Sequence, residues 1–168
     1  MTPATLRVVG VDPGARWIGW AMLEGDASGA RYLASGVLEL EPGDAGLRAL
    51  RRAAHELLAA HRPGVVVIER VAQVYTCARF GASRSTGLVH AAWTGGELAG
   101  LAASMGLAVR SIDHNAAKDR IGAHAGTGGD VAAALRARVA GWPHVVGDHE
   151  RDAGSVALAV ICEGGRHV

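Results

Sequence analysis

Two acidic residues stand at the ends of apolar runs that are typical of buried strands. Asp12 follows residues 6–11, and Glu69 follows the β-branched run of residues 65–68. If the two strands lie side by side and parallel, their carboxyl ends meet at one edge of a sheet, where ligands of open α/β sheets bind. Burial and mutual repulsion oppose the charged forms of two neighbouring carboxylates, so this arrangement implies a shared divalent cation or one raised pKa.

A third acid, Asp152, precedes the apolar stretch of residues 156–161 in the last predicted helix. His149 and Asp148 come three and four positions before it and could share its helix face. Because an aspartate before a helix start is a common N-cap, capping accounts for Asp148, and we favour His149 as the fourth member with Asp148 as the alternative. One acid alone would more often be a turn or cap residue, but the set predicts a divalent-metal site for phosphate chemistry.

The elements that must position these residues alternate between strands and helices. Three strand-like runs come first and predict an antiparallel meander. The predicted strands are residues 6–11, 17–23, 31–40, 65–68 and 107–112, and the predicted helices are residues 45–60, 88–105, 115–121, 131–139 and 149–162. This order predicts an α/β fold in one domain, residues 1–168, with a mixed five-stranded sheet flanked by helices.

Length and composition exclude several classes of protein. A chain of 168 residues with 49% hydrophobic content can bury a core without disulfides. Its two cysteines, Cys77 and Cys162, match no zinc or redox spacing, which is typical of a reducing compartment. The first residues lack the features of a signal peptide, and no apolar stretch is long enough to span a membrane. We therefore expect a cytoplasmic protein without a membrane partner.

The distribution of charge is more informative than the net charge of +1. The segment from Arg70 to Gly96 contains no acidic residue, and it also carries Arg79 and Arg84. Arginine is the better bidentate partner for phosphate, so these three arginines are candidate contacts to a nucleic-acid backbone. Arg70 has an alternative role, because it could simply screen the neighbouring charge of Glu69.

Three motifs resemble those of RuvC-type Holliday junction resolvases. They are VGVDPG at residues 9–14 with Gly19 after it, VIERV at residues 67–71, and Asp152-Ala153 followed by residues 157–159. The resemblance extends from about residue 6 to residue 162. It implies an RNase H-like fold, a homodimer, and Mg²⁺-dependent paired nicking of four-way DNA junctions in a bacterial cell or a phage-infected host. A branch-migration motor is a further candidate partner.

Residue by residue, the resemblance implies that Asp12, Glu69 and Asp152 hold two metal ions. His149 stands where the family usually has an aspartate. A neutral imidazole can still bind a metal, but it favours Mn²⁺ over Mg²⁺ more than a carboxylate does. The resemblance implies Mg²⁺ as the cofactor, and because of His149 we expect Mn²⁺ to be accepted as well.

Lys118 stands where the family has a lysine that contacts DNA phosphates and assists catalysis. His114 and Asn115 lie close to it in the sequence and are weaker candidates for DNA contact. For Asn115 a helix-start cap is the favoured role.

The segment of residues 88–105 resembles the dimer-forming helix of the family. In many family members an aromatic residue follows the strand-end glutamate by three positions and wedges into the junction, and this position is Ala72 here. Tyr75 and Phe80 follow in the same loop. Either could stack on an exposed base or merely anchor the loop to the protein body.

Three other functions compete with junction cleavage. An RNase H-like nuclease acting on RNA–DNA hybrids would share the metal cluster and differ in substrate. An actin-like or sugar-kinase-like nucleotide binder also begins with a strand, an acid and a glycine turn, but it needs roughly twice this length. A junction-binding protein without catalysis is disfavoured by the intact acids.

Overall fold

The computed structural model describes residues 5–71, 82–123 and 127–164, except for the side chains of residues 82–85. Within these residues the strands are β1 (Leu6–Pro13), β2 (Trp17–Asp26), β3 (Gly29–Glu39), β4 (Val65–Arg70), β5 (Ala108–Asp113) and β6 (Val139–Ala140). The helices there are α1 (Gly43–His61), α2 (Ala82–Ser104), α3 (His114–Arg120), α4 (Gly128–Arg138) and α5 (Asp148–Cys162). None of these helices is long and apolar enough to cross a membrane.

The described strands form one mixed sheet in the order β5-β4-β1-β2-β3-β6. β1, β2 and β3 are an antiparallel meander, whereas β4 and β5 run parallel to β1. The predicted α/β fold, with a meander and two parallel strands, is therefore confirmed.

The predicted count of five strands is wrong by one. β6 pairs parallel with β3 through Val139 opposite Ala30 and Ala140 opposite Arg31. We predicted a helix up to residue 139, but α4 ends at Arg138 and Val139 has an extended backbone (φ −117°, ψ 106°). A strand of two residues is too short to show the alternation by which strands are recognised in a sequence.

Most other element boundaries agree with the prediction within about three residues. The exception is α2, which begins at Ala82 and not at the predicted residue 88. The residues before 88 are small and polar, so they show no apolar helical periodicity that would have revealed this end of the helix.

Helices cover both faces of the sheet. Successive side chains on a strand point to opposite faces, so the buried strand residues divide between two clusters. Val8 and Val67 pack in the cluster that contains the α5 residues, and we call this side the α5 face. Val9 and Val66 pack in the cluster that contains α1 and α2 residues, and we call this side the α2 face.

Helix α5 is buried from Ala153 to Ile161. It approaches β1 and β2 at two glycines. A Cβ added to Gly10 would overlap the carbonyl oxygen of Ala153, and a Cβ added to Gly19 would overlap the carbonyl oxygen of His149. Because these two positions lack side chains, the first turns of α5 can lie directly on the sheet.

Candidate active site

Asp12 and Glu69 lie side by side at the carboxyl ends of β1 and β4. The parallel register pairs Val11 with Ile68, so the next residue of each strand is the acid. Strand alternation puts both acids on the α5 face, because Val67, two residues before Glu69, packs there. The sheet therefore presents both carboxylates to the helix that carries the other predicted site residues.

The first turns of α5 bring these residues to the strand ends. Nδ1 of His149 lies 2.7 Å from Oδ2 of Asp12. The side chain of Asp152 is 23% exposed, and its charge acts on Asp12 together with that of Glu69. Four of the side chains selected from the sequence thus lie together, and we call Asp12, Glu69, His149 and Asp152 the acid cluster.

The surroundings of Asp12 favour its protonated form. Burial is the main cause, and the charges of Glu69 and Asp152 add to it, while the hydrogen bond with His149 acts in the opposite direction. Together these effects raise the pKa of Asp12 from 3.8 to about 6. A positive charge bound between the acids would favour the ionised form of Asp12.

Asp148 lies on the exposed side of α5. Its side chain is 86% exposed, and its Oδ1 accepts a hydrogen bond of 2.6 Å from Arg151. Our interpretation of Asp148 as the helix cap is wrong, because the N-cap is Gly147, whose backbone N–H donates to Oε2 of Glu150 at 2.8 Å. Of the two alternatives for the fourth position, His149 is the one that contacts an acid of the cluster.

A second histidine, His114, reaches the acids from α3. Its Nδ1 lies 3.0 Å from Oε2 of Glu69. This hydrogen bond is the largest influence that raises the pKa of His114; the charge of Asp152 acts in the same direction, while burial and the charge of Lys118 oppose it. From the sequence, His114 was only a candidate DNA contact. The signal that could have revealed it is its position at the end of β5, the strand next to the glutamate strand.

The cap of α3 is also different from the expected one. Asp113 is the N-cap, and its Oδ1 accepts a hydrogen bond of 3.0 Å from the backbone N–H of Asn115. The assignment of Asn115 as the cap is therefore wrong by two residues, and His114 is the first residue of the helix.

One cation lies next to His114 and another next to Asp152. Lys118 follows His114 by about one helical turn, and its positive charge acts on that histidine. Nε of Arg151 lies 3.2 Å from Oδ1 of Asp152. Positive charge next to a carboxylate site is suited to hold a phosphate group.

The donors of the acid cluster fit a divalent cation in their chemistry and charge. Carboxylate oxygens are the ligands that Mg²⁺ and Mn²⁺ take, and the raised pKa of Asp12 marks a concentration of negative charge that a cation would neutralise. In the described part of the chain, however, no three His, Cys, Asp or Glu side chains converge as a metal-holding group. The acids instead bond to His149, His114 and Arg151.

The other predicted DNA contacts lie elsewhere or outside the described residues. By strand alternation Arg70 points to the α2 face, opposite to Glu69, and it lines a groove of about 260 Å³ beside α2. Four of the predicted DNA contacts fall outside the described part of the chain: Tyr75, Arg79, Phe80 and the side chain of Arg84.

The sequence matches the family "Crossover junction endodeoxyribonuclease RuvC" over residues 8–121, a segment that ends before α5. The RuvC protein of Alkalilimnicola ehrlichii is 46% identical over 67 residues, which are 39% of this chain and 41% of that protein. The RuvC protein of Pseudomonas putida is 32% identical over 97 residues, which are 55% of this chain and 56% of that protein. The matches thus span from about two fifths to just over half of these curated relatives.

The fold resembles that of two solved resolvases over most of the chain. RuvC of T. thermophilus, described as in complex with a Holliday junction substrate, has a TM-score of 0.73 at 20% identity, covering 91% of both chains. The yeast mitochondrial Holliday junction resolvase Ydc2 has a TM-score of 0.64 at 14% identity, covering 93% of this chain and 78% of that chain. These likenesses show a shared fold. The family match over residues 8–121 confirms the resemblance seen in the motifs: the chain belongs to the RuvC family of crossover junction endodeoxyribonucleases.

Proposed function

We propose that this chain is a structure-selective endonuclease that cuts four-way DNA junctions by divalent-metal-dependent hydrolysis. The observation that carries the proposal is the pairing of Asp12 and Glu69 at one sheet edge, under the turns of α5 that carry His149 and Asp152. Three acids in one partly buried site are costly without a bound cation, which supports metal-dependent chemistry. Membership of the RuvC family supports a DNA junction as the substrate.

In this proposal Asp12, Glu69, Asp152 and His149 hold two divalent cations, Mg²⁺ or Mn²⁺. When bound, such cations lower the pKa of water and stabilise the charge that develops on the leaving oxygen. The contribution of the chain is to hold the donors in place. The hydrogen bond between His149 and Asp12 restricts both side chains, so less freedom remains to be lost on metal binding.

The chain must also hold the DNA backbone. Lys118, one helical turn after His114 on α3, would contact phosphates at the cut, with Arg151 as a second cation beside Asp152. Further DNA contacts in this proposal are Arg70, Arg79 and Arg84, with Tyr75 or Phe80 as the stacking residue.

Paired nicking requires two active sites on one junction, so the proposal includes a homodimer. Helix α2 carries two large exposed apolar side chains one turn apart, Val89 at 52% and Trp93 at 45% exposure. Trp93 also lines a groove of about 650 Å³ with Leu47 and Leu40. Large exposed apolar side chains beside a groove are typical of a protein–protein interface. A branch-migration motor is a further candidate partner.

One comparison of substrates tests the proposal. A labelled four-way junction, a linear duplex and an RNA–DNA hybrid are incubated with the protein and either Mg²⁺ or Mn²⁺. We expect symmetric nicks in the junction alone, and none in EDTA. Cleavage of the hybrid but not of the junction would favour the alternative, a different RNase H-like nuclease.

The substitution Asp12→Asn tests the acid cluster. It removes one charge and one metal-binding oxygen, so we expect junction cleavage to fall by at least about a thousandfold, equivalent to about 4 kcal/mol, while junction binding in a gel-shift assay stays nearly intact. The matched control is Asp148→Asn, which changes a carboxylate that is 86% exposed and should leave cleavage within about twofold. Retained cleavage by Asp12→Asn would contradict the metal-cluster proposal, and a loss in Asp148→Asn would assign the fourth position to Asp148.

A further inference from the structure

The hydrogen bond between His114 and Glu69 joins a residue of α3 to an acid of the cluster. Nδ1 of His114 lies 3.0 Å from Oε2 of Glu69, and the side chains are 36% and 16% exposed. The contact resembles that between His149 and Asp12, but His114 is on α3 whereas His149 is on α5. A glutamate carboxylate is carried on three rotatable bonds, and this contact restricts its orientation.

The fold holds His114 in position through its backbone. The register of β4 and β5 pairs Glu69 with Ile112, so β5 ends next to the glutamate. Asp113 then caps α3 and makes His114 its first residue. His114 therefore begins a helix at the strand end that adjoins Glu69.

The other end of α3 is fixed as well. Ala117 and Ile121 are buried in the cluster that contains the α5 residues. Glu163, just after α5, forms two ion pairs. Its Oε1 lies 2.5 Å from Nη1 of Arg120 on α3, and its Oε2 lies 2.6 Å from Nη2 of Arg110 on β5. Because both ends of the helix are held, the His114 ring has a defined place from which to direct Glu69.

We propose that His114 is a positioning residue that holds Oε2 of Glu69 and leaves Oε1 free for the metal ion, an inference that rests on the proposed function of the acid cluster. A carboxylate has two oxygens, so it can accept a hydrogen bond on one and bind a cation with the other. Hydrogen bonds to a ligating carboxylate orient it, and their removal typically weakens metal binding by about tenfold to a hundredfold. His114 thus acts on the metal through Glu69.

The test measures Mn²⁺ binding to the DNA-free protein from the electron paramagnetic resonance signal of free Mn²⁺. His114→Leu keeps the side-chain volume but removes the hydrogen-bond donor, and we expect about tenfold weaker Mn²⁺ binding. His114→Asn places an amide N–H near the position of Nδ1 and should restore binding to within about threefold of the unchanged protein. The matched control is His55→Leu, which changes an exposed histidine on α1 and should leave Mn²⁺ binding unchanged.

Thermal unfolding without metal accompanies each measurement, and His114→Ala replaces His114→Leu if the latter does not fold. Wild-type Mn²⁺ affinity in His114→Leu or His114→Ala would overturn the inference, and so would an equal loss in His114→Asn. This test can fail or succeed independently of the junction assay. If the protein does not cut junctions but its Mn²⁺ binding depends on His114, the proposed substrate is overturned and the positioning role stands.

Discussion

At the scale of single residues, each acid of the cluster has its own basic partner. Asp12 bonds to His149, Glu69 bonds to His114, and Asp152 bonds to Arg151. These contacts explain how the chain gathers three carboxylates at a partly buried sheet edge, since a hydrogen-bond donor offsets part of the desolvation cost of each acid. The histidines contact Oδ2 of Asp12 and Oε2 of Glu69, so a cation would bind the second oxygen of each carboxylate.

The pKa of Asp12 leads to a prediction about stability. The folded chain holds the Asp12 proton more tightly than the unfolded chain does, because the pKa is raised from 3.8 to about 6. The protonated form of Asp12 therefore adds to the free energy of unfolding at low pH. This contribution falls as pH rises from about 4 through about 6 and is fully lost above that range. Asp12→Asn removes this pH-dependent loss of stability. In EDTA we therefore expect the variant to be more stable than the unchanged protein by about 1–2 kcal/mol near pH 5 and about 3 kcal/mol near pH 7.5.

Urea unfolding of both proteins across this pH range measures the difference. Saturating Mn²⁺ should reverse it, because the cation binds the ionised form of Asp12 in the folded chain. Asp148→Asn serves as the control and should show no such trend, since Asp148 is exposed. A stability difference that does not change with pH would show that Asp12 is ionised as easily in the folded chain as in the unfolded one.

Every residue of the acid cluster could be predicted from the sequence. Asp12 and Glu69 were selected because each ends an apolar run, and Asp152 and His149 because they precede a buried helix. The signal for His114 was weaker: it follows β5, but its contact with Glu69 also depends on the pairing of β4 with β5. The role of Asp148 was wrong because a glycine can occupy the cap position when a glutamate three residues later bonds to its backbone.

At the scale of elements, the site depends on how closely α5 approaches the sheet. Gly10 and Gly19 lie directly under this helix, where added Cβ atoms would overlap the backbone carbonyl oxygens of Ala153 and His149. The glycine that follows the VGVDPG motif, Gly19, is thus needed because a side chain there would collide with α5. Without a side chain there, the backbone of His149 can come close enough to β2 for its ring to reach Asp12.

Gly19→Ala should displace the start of α5. The overlap involves backbone, which cannot rotate away, so we expect a loss of about 1–3 kcal/mol in the free energy of unfolding. We also expect weaker Mn²⁺ binding, because the displacement separates His149 from Asp12. Chemical denaturation and the Mn²⁺ assay measure the two effects.

Gly100→Ala is the control for this substitution. Gly100 lies in α2, and a Cβ there would meet nothing within 4 Å, so alanine should stabilise the helix by up to about 1 kcal/mol. If Gly19→Ala were as stable and bound Mn²⁺ as well as the unchanged protein, the close approach of α5 would not be what positions His149.

At the scale of the whole molecule, the two faces of the sheet carry different helices. The acids face α5, and the other face carries α2, whose exposed residues include Val89 and Trp93. The proposed nuclease site and the proposed dimer surface are thus on different sides of one sheet. In the proposed dimer, α2 would contact a second copy and the acid edge would stay free for DNA.

Val89→Arg tests the dimer. A charged side chain at the centre of an apolar interface is costly to bury, so we expect a monomer in sedimentation experiments and single nicks in place of paired nicks. Val145→Arg is the matched control, since Val145 is 91% exposed and lies outside α2. A dimer that survives Val89→Arg would place the subunit contact elsewhere.

The sequence by itself determined which residues could form a site. Two apolar runs that each end in an acid bring their carboxylates together in parallel pairing, and an apolar helix after a histidine and an aspartate must bury itself against the same sheet. Tertiary structure alone decided how these side chains pair, with His149 on Asp12 and His114 on Glu69. Such contacts depend on distances between distant parts of the chain, which are set by strand register and by helix approach at Gly19, and local patterns carry no measure of either.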